Sequence, residues 1–328
     1  MIAFLLHRLC QGVLVLLAIA LIAFALFNYV GDPVSGIAGQ DAGLADRARL
    51  RQELGLDDGV AIRFGRFVAG LARGDFGVSY QEARPVGQII REKLPATLEL
   101  SAVAALIAAA AGVPLGIYTA LHRRGRLARA LLALSLMGVS LPTFLIGILL
   151  ILVFSVWLRW LPSFGRGGVV AIGWWTTGLL TVAGWRAILL PALTLALFQT
   201  ALIMRLVRAE MIEVLRADFI RFGRARGLTA RALNFGHALK NILVPVITIG
   251  GLQLGSTIAF AIITETVFQW PGMGLMFIQA VTFADIPIMA AYLVLVGLFF
   301  VTINLTTDLL YLAIDPRLRV ERARIGFG

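Results

Sequence analysis

Six stretches of the chain contain no Asp, Glu, Lys or Arg: residues 9–30, 100–121, 130–158, 187–204, 241–264 and 287–307. A helix that crosses a bilayer needs about 20 consecutive apolar residues, because each residue advances it about 1.5 Å through a hydrocarbon layer of about 30 Å. Each stretch is close to that length or longer, so the pattern predicts six membrane spans. Composition agrees: 59% of the 328 residues are hydrophobic and 14% charged, where soluble domains carry about 25% charged residues. The polar residues are left to the loops, which excludes a large soluble catalytic domain. The first stretch follows His7 and Arg8, as the apolar core of a secretory leader would. It is longer than the usual core of about 7–15 residues, and Phe27-Asn28-Tyr29-Val30 offers no small-x-small cleavage site. It is read as a retained span.

Pro114, Pro142, Pro191, Pro245 and the pair Gly250 and Gly251 fall inside the spans. Neighbouring helices can satisfy the carbonyls that a proline frees, so kinked helices are expected. Close packing at small residues explains the same pattern without a gating role. Residues 167–185, with five glycines and Trp174, Trp175 and Trp185, could hide a seventh span but read better as an interfacial segment, where tryptophan concentrates.

Short loops rich in Lys and Arg mark the cytoplasmic side. Residues 122–129 carry Arg123, Arg124, Arg126 and Arg129, residues 205–240 carry eight basic side chains, and the tail carries Arg317, Arg319, Arg322 and Arg324. The loop 265–286 has none, and the long loop 31–98 balances nine basic against nine acidic residues. Both termini are therefore expected in the cytoplasm, with 31–98 outside. The whole net charge of +11 then lies on the inner side, which accounts for it without nucleic acid. The single cysteine, Cys10, permits no intrachain disulfide.

Lys93 and Lys240 are the only lysines, and neither follows a glycine-rich phosphate loop. His7, His122 and His237 form no HExxH motif, and no GxSxG nucleophile elbow occurs. The span centres lack the ionisable groups that proton- or sodium-coupled carriers place at mid-depth. Gln199, Thr200, Gln253, Thr302 and Asn304 are candidates to line a hydrated path, or to hydrogen-bond between helices.

In the fourth loop, Met211, Val214, Leu215, Asp218 and Phe219 recur at helical spacing. They predict an amphipathic helix that prolongs the fourth span into the cytoplasm. Gly227 should end the next turn, since glycine adopts the left-handed conformation without a Cβ clash. A second helix over 229–239 should lead back to the membrane. An ordinary solvated positive loop is the plain alternative.

This loop resembles the EAA loop of the dipeptide/oligopeptide/nickel family of bacterial ABC importer permeases, through Glu213-Val214-Leu215, Asp218-Phe219, Arg221, Arg224-Ala225-Arg226-Gly227-Leu228, His237-Ala238-Leu239, Asn241 and Pro245. Other blocks match in order: Leu54-Gly55-Leu56-Asp57, Gly74-Asp75-Phe76-Gly77, Arg84-Pro85-Val86, Leu94-Pro95-Ala96-Thr97-Leu98-Glu99, Ser140-Leu141-Pro142, Glu265-Thr266-Val267-Phe268, Trp270-Pro271-Gly272-Met273-Gly274, Asp285-Ile286-Pro287 and Asp315-Pro316-Arg317. The generic Glu-Ala-Ala triplet is Arg221-Phe222-Gly223 here, and Leu275 stands where the family often has arginine.

The resemblance implies an all-α integral membrane protein of the bacterial inner membrane. Its expected parts are an N-terminal transmembrane helix (1–30), an extracytoplasmic cap (31–98), a transmembrane domain (99–314) and a cytoplasmic tail (315–328). The coupling loop (208–240) would carry Asp218, Arg221, Arg224, Arg226, Gly227, Leu228, His237 and Asn241 towards an ATPase. It further implies a second permease, two cytoplasmic ATPase subunits that bind ATP and magnesium, and an extracytoplasmic binding protein, with no cofactor and no catalysis in this chain. Di- or oligopeptides are the expected cargo. Nickel chelates or glutathione within the same family, an ion-coupled carrier, or a membrane enzyme are the alternatives.

Overall fold

The computed structural model describes residues 2–29 and 58–314, with isolated positions between them. Most of the first half of the expected cap 31–98 falls outside the described residues, and the tail 315–328 lies wholly outside them.

Among the described residues, α1 (Ile2–Tyr29), α3 (Val86–Leu121), α6 (Val182–Val214), α8 (Leu239–Val267) and α10 (Ile286–Ile314) supply five helices long and apolar enough to cross a membrane. The sixth expected span is a broken pair, α4 (Arg126–Ser140) and α5 (Thr143–Leu150), the latter continuing as π-helical turns over Ile151–Trp157; the two halves meet at 108°. The break has a local cause. Pro142 caps α5 in an extended conformation, φ −58° and ψ 138°, and a proline disfavours helical geometry in the residue before it. Pro95 and Pro114 stay inside α3, Pro191 inside α6 and Pro245 inside α8. Kinked helices are the expectation at the prolines of the spans; the helix is broken at Pro142, while the other four stay within continuous helices.

Residues 167–185 are not a seventh span, and the fold is not purely helical. β1 (Val170–Ile172) and β2 (Trp175–Thr177) form an antiparallel hairpin in the register Val170↔Thr177, Ala171↔Thr176 and Ile172↔Trp175. Gly173 takes φ +62° at the turn, which the tight hairpin connection demands. Trp174 at its turn and Trp157, Trp160 and Trp185 in the flanking sequence are exposed, as tryptophans at a membrane-water boundary are.

The centre of the bundle is the α3–α6 pair. Gly112 and Gly116 of α3 lie against Ile203 and Val207, and against the backbone carbonyls of Thr200 and Met204; a Cβ on Gly116 would sit 2.6 Å from the Cβ of Val207. Between transmembrane helices such small-xxx-small spacing lets backbones approach and gain dispersion contact. Arg208, just beyond, donates to the Thr119 carbonyl. One buried apolar column runs from Trp270 and Ala96 at one end, through Ala192 and Val207, to Ile220, Leu233 and Ile242 at the other.

α10 packs between α1 and α8, and an ion pair of 3.0 Å joins Arg8 to Asp308. α2 (Val60–Ala72) lies on α1, with Phe24 edge-on to Phe64 at 5.3 Å. After it, the Arg84 guanidinium bonds Glu92, which with Glu82 raises its pKa above the ordinary arginine value.

Candidate coupling surface and translocation groove

The fourth loop folds as a knob, but not as one prolonged helix. α6 ends at Val214, Leu215–Ala217 form a turn, and α7 (Asp218–Ala225) sets off anew. The expected stripe therefore splits: Met211 is buried in the α3–α6 core, whereas Asp218 and Phe219 are exposed. Gly227 does what its position requires. It has φ +82°, and the Leu228 amide donates back to the Gly223 carbonyl at 3.2 Å, closing α7 with the wide loop that a left-handed residue permits.

The expected second helix over 229–239 is present but is not a separate element. Residues 230–238 are helical, mostly π-helical over Ala232–Ala238, and run directly into α8. α7 rests on this stretch at Gly223, where an added Cβ would come 2.9 Å from Leu233 Cδ2. An alanine there, as in the generic triplet, would need the Leu233 side chain to shift.

Ile220, fully buried, ties the knob into the spans. The opposite face of α7 is open. Phe219 and Phe222 are exposed, Arg226 lies over the Phe222 ring at 5.7 Å, and Arg221 has 75% of its side chain exposed beside Asp218 at 3.5 Å. Such a solvated pair contributes little on its own and leaves the guanidinium available to a partner. Arg224 and Leu228 border a recess of 560 Å³ shared with Arg123 and Asn234. His237 and Asn241 sit at the root of α8, where the Asn241 amide donates to the His237 carbonyl at 2.8 Å. Neither phenylalanine is among the site residues proposed from the sequence, because a helical stripe containing Phe219 reads as an inward face.

The five path candidates separate. Gln199 of α6 and Gln253 of α8 line one groove of 380 Å³, together with Thr143, Ser256, Thr257 and Phe260. Gln199 donates to the Thr257 hydroxyl, which donates in turn to the Gln253 carbonyl at 2.7 Å. Thr200 points its backbone carbonyl at Gly112 instead. Thr302 is exposed on α10, and Asn304 borders a different crevice with Arg8, Gln11 and Asp308.

Three buried carboxylates, not proposed as site residues from the sequence, pin the other end of the bundle. Glu99 accepts from Arg166 at 2.7 Å, from the Trp175 indole at 3.2 Å and from the Gly178 amide at 3.3 Å, fixing the hairpin to α3. Glu265 accepts from Thr97 at 2.6 Å and from the Gly274 and Leu275 amides at 2.7 and 3.0 Å, at the start of α9 (Met273–Thr282). Asp285 accepts from Ser79 and from the Tyr80 and Gln81 amides at 3.3 and 3.2 Å, holding the segment before α3 to the start of α10. Each buried acid thus has the multiple donors that burial of a charge requires.

The chain matches two family models: the binding-protein-dependent transport system inner membrane component over residues 112–320, and the N-terminal part of such membrane components over residues 1–101. It is 35% identical to the dipeptide transport system permease protein DppB of Alkalihalophilus pseudofirmus, with 97% of this chain and 100% of that one covered. It is 34% identical to the glutathione transport system permease protein GsiC of Salmonella paratyphi A, with 98% and 100% covered. A solved inward-facing conformation of the MetNI methionine ABC transporter superposes with a TM-score of 0.57 at 18% identity, over 69% of this chain and 96% of that one, which shows a shared fold. A groove between α6 and α8, an arginine-bearing knob joining the same two helices, and these matches converge: the chain belongs to the family of binding-protein-dependent transport system inner membrane components, the permeases of ABC importers.

Proposed function

We propose that this chain is the permease subunit of an ATP-driven importer of di- or oligopeptides in a bacterial inner membrane. It would pair with a second permease, take cargo from an extracytoplasmic binding protein, and be driven by two ATPase subunits that supply ATP and magnesium. Both termini and the knob 208–240 lie in the cytoplasm, and the cap 31–98 lies outside. The observation that carries this reading is mechanical. The knob presents arginines and bare phenylalanines outward, while Ile220 and Leu233 root it in the same apolar column that joins α3, α6 and α8. A push on α7 therefore reaches the groove-lining helices without crossing a flexible linker. The peptide assignment leans on relatives named for peptide transport.

Reconstitution with the partner permease, ATPases and binding protein tests it. ATP-dependent accumulation of labelled dipeptide is the expected result. Accumulation of glutathione without dipeptide would move the cargo to the alternative that the relative named for glutathione supports, and accumulation without ATPases would overturn the class.

A further inference from the structure

Five polar side chains line the groove between α5, α6 and α8, and none of its ten lining residues is charged. Both glutamine amides among them have hydrogen-bonding capacity left over. Gln199 is buried to within 7% and spends one end of its amide on Thr257; its other end has no hydrogen bond among the described residues. Gln253, half-buried and two turns from Phe260, has neither end of its amide engaged among the described residues. An amide facing an apolar cleft is costly to leave unpaired when the cleft dries. The cleft itself is open on one side, and its rim includes the exposed rings of Phe198 and Phe260.

We propose that Gln253, backed by Gln199, is a specificity-determining residue of the path and hydrogen-bonds the main-chain amides of peptide cargo in transit; this rests on the peptide reading above. A carboxamide offers one acceptor and two donors, matching the C=O and N–H that every peptide repeats whatever its side chains. A lining without charge neither repels nor traps acidic or basic residues. The rings of Phe198 and Phe260 offer apolar surface to passing side chains. Weak, repeated and charge-blind contact is what a path needs if cargo of differing sequence is to leave as readily as it arrives.

The test uses the assembled, reconstituted complex with its binding protein and three probes: Ala-Ala, Ala-Lys and Ala-Glu. Gln253→Leu removes the amide at similar size, and initial uptake of all three should fall together by about threefold to tenfold, the worth of one or two ordinary hydrogen bonds. Gln253→Glu should shift the ratio of Ala-Lys to Ala-Glu uptake by about tenfold or more, since like charges repel strongly in a poorly hydrated site. Gln253→Asn keeps an amide and should restore most uptake. Rates are normalised to complex recovered by pull-down, which separates poor assembly from poor passage.

Uptake by the Leu variant and a charge ratio in the Glu variant both within twofold of the unmutated complex would overturn the proposal. So would an Asn variant no better than Leu. If the unmutated complex moves none of the three peptides, the cargo reading itself fails, an outcome distinguishable because it needs no variant.

Discussion

At the scale of single residues, two glycines show how differently the same residue type constrains the fold. Gly116 is a matter of space: Val207 and the Met204 carbonyl occupy the place of its Cβ. Gly227 is a matter of conformation: nothing stands within 4 Å of its Cβ position, yet φ is +82°. Gly227→Val therefore meets no clash but forces a β-branched residue into a region it avoids, at about 1–3 kcal/mol of local strain. The α7 terminus should unwind while the spans insert normally. The expected outcome is unchanged membrane yield, weakened ATPase retention in pull-down and loss of ATP-driven uptake; full uptake with full retention would remove the coupling role of this turn. The sequence pointed to Gly227 because a glycine after a helical run is a readable stop. It could not point to the close packing at Gly223, which comes from Leu233 ten residues on.

Secondary-structure elements were legible wherever the controlling signal was local. Apolar length announced the five long helices, and the proline at 142 announced a disturbance in the third span, but its angle depends on how α5 packs against α6 and α8. The 167–185 hairpin was hidden because its strands are three residues each and sit within a glycine-rich, tryptophan-rich run. What holds it is remote: Arg166 pairs with Glu99, 67 positions away in sequence. This gives a prediction about sign. Arg166→Met should leave the Glu99 carboxylate buried and unpaired, at a cost of about 3–5 kcal/mol. Adding Glu99→Gln should return much of that stability, because the uncompensated charge is gone. Thermal unfolding of the detergent-solubilised protein should rank the double variant above the Arg166→Met single variant. The reverse ranking would show that the pair does not act as a buried ion pair.

For the whole molecule, orientation is the property most open to direct measurement. The three carboxylate pins lie at one end of the bundle, and the arginine knob lies at the other. With Cys10 replaced by alanine, a cysteine at position 60 should react with an impermeant thiol reagent from the outer side only, and one at position 226 from the cytoplasmic side only. Labelling of position 60 from the cytoplasm alone would invert the topology. The path candidates teach a related lesson about scale. Composition picked five polar residues from the spans, and only the folded arrangement showed that Gln199 and Gln253 share a groove while Asn304 faces a crevice beside α1. The π-helical stretch Ala232–Ala238 feeds unbroken into α8, so it sets the angular register of everything downstream. Each residue of helix turns its successors by about 100°. Excising a single residue between 232 and 238 could leave a regular α-helix, yet it would swing Gln253 about a quarter-turn out of the groove; the number of residues here, more than their identity, decides which side chains the cleft sees.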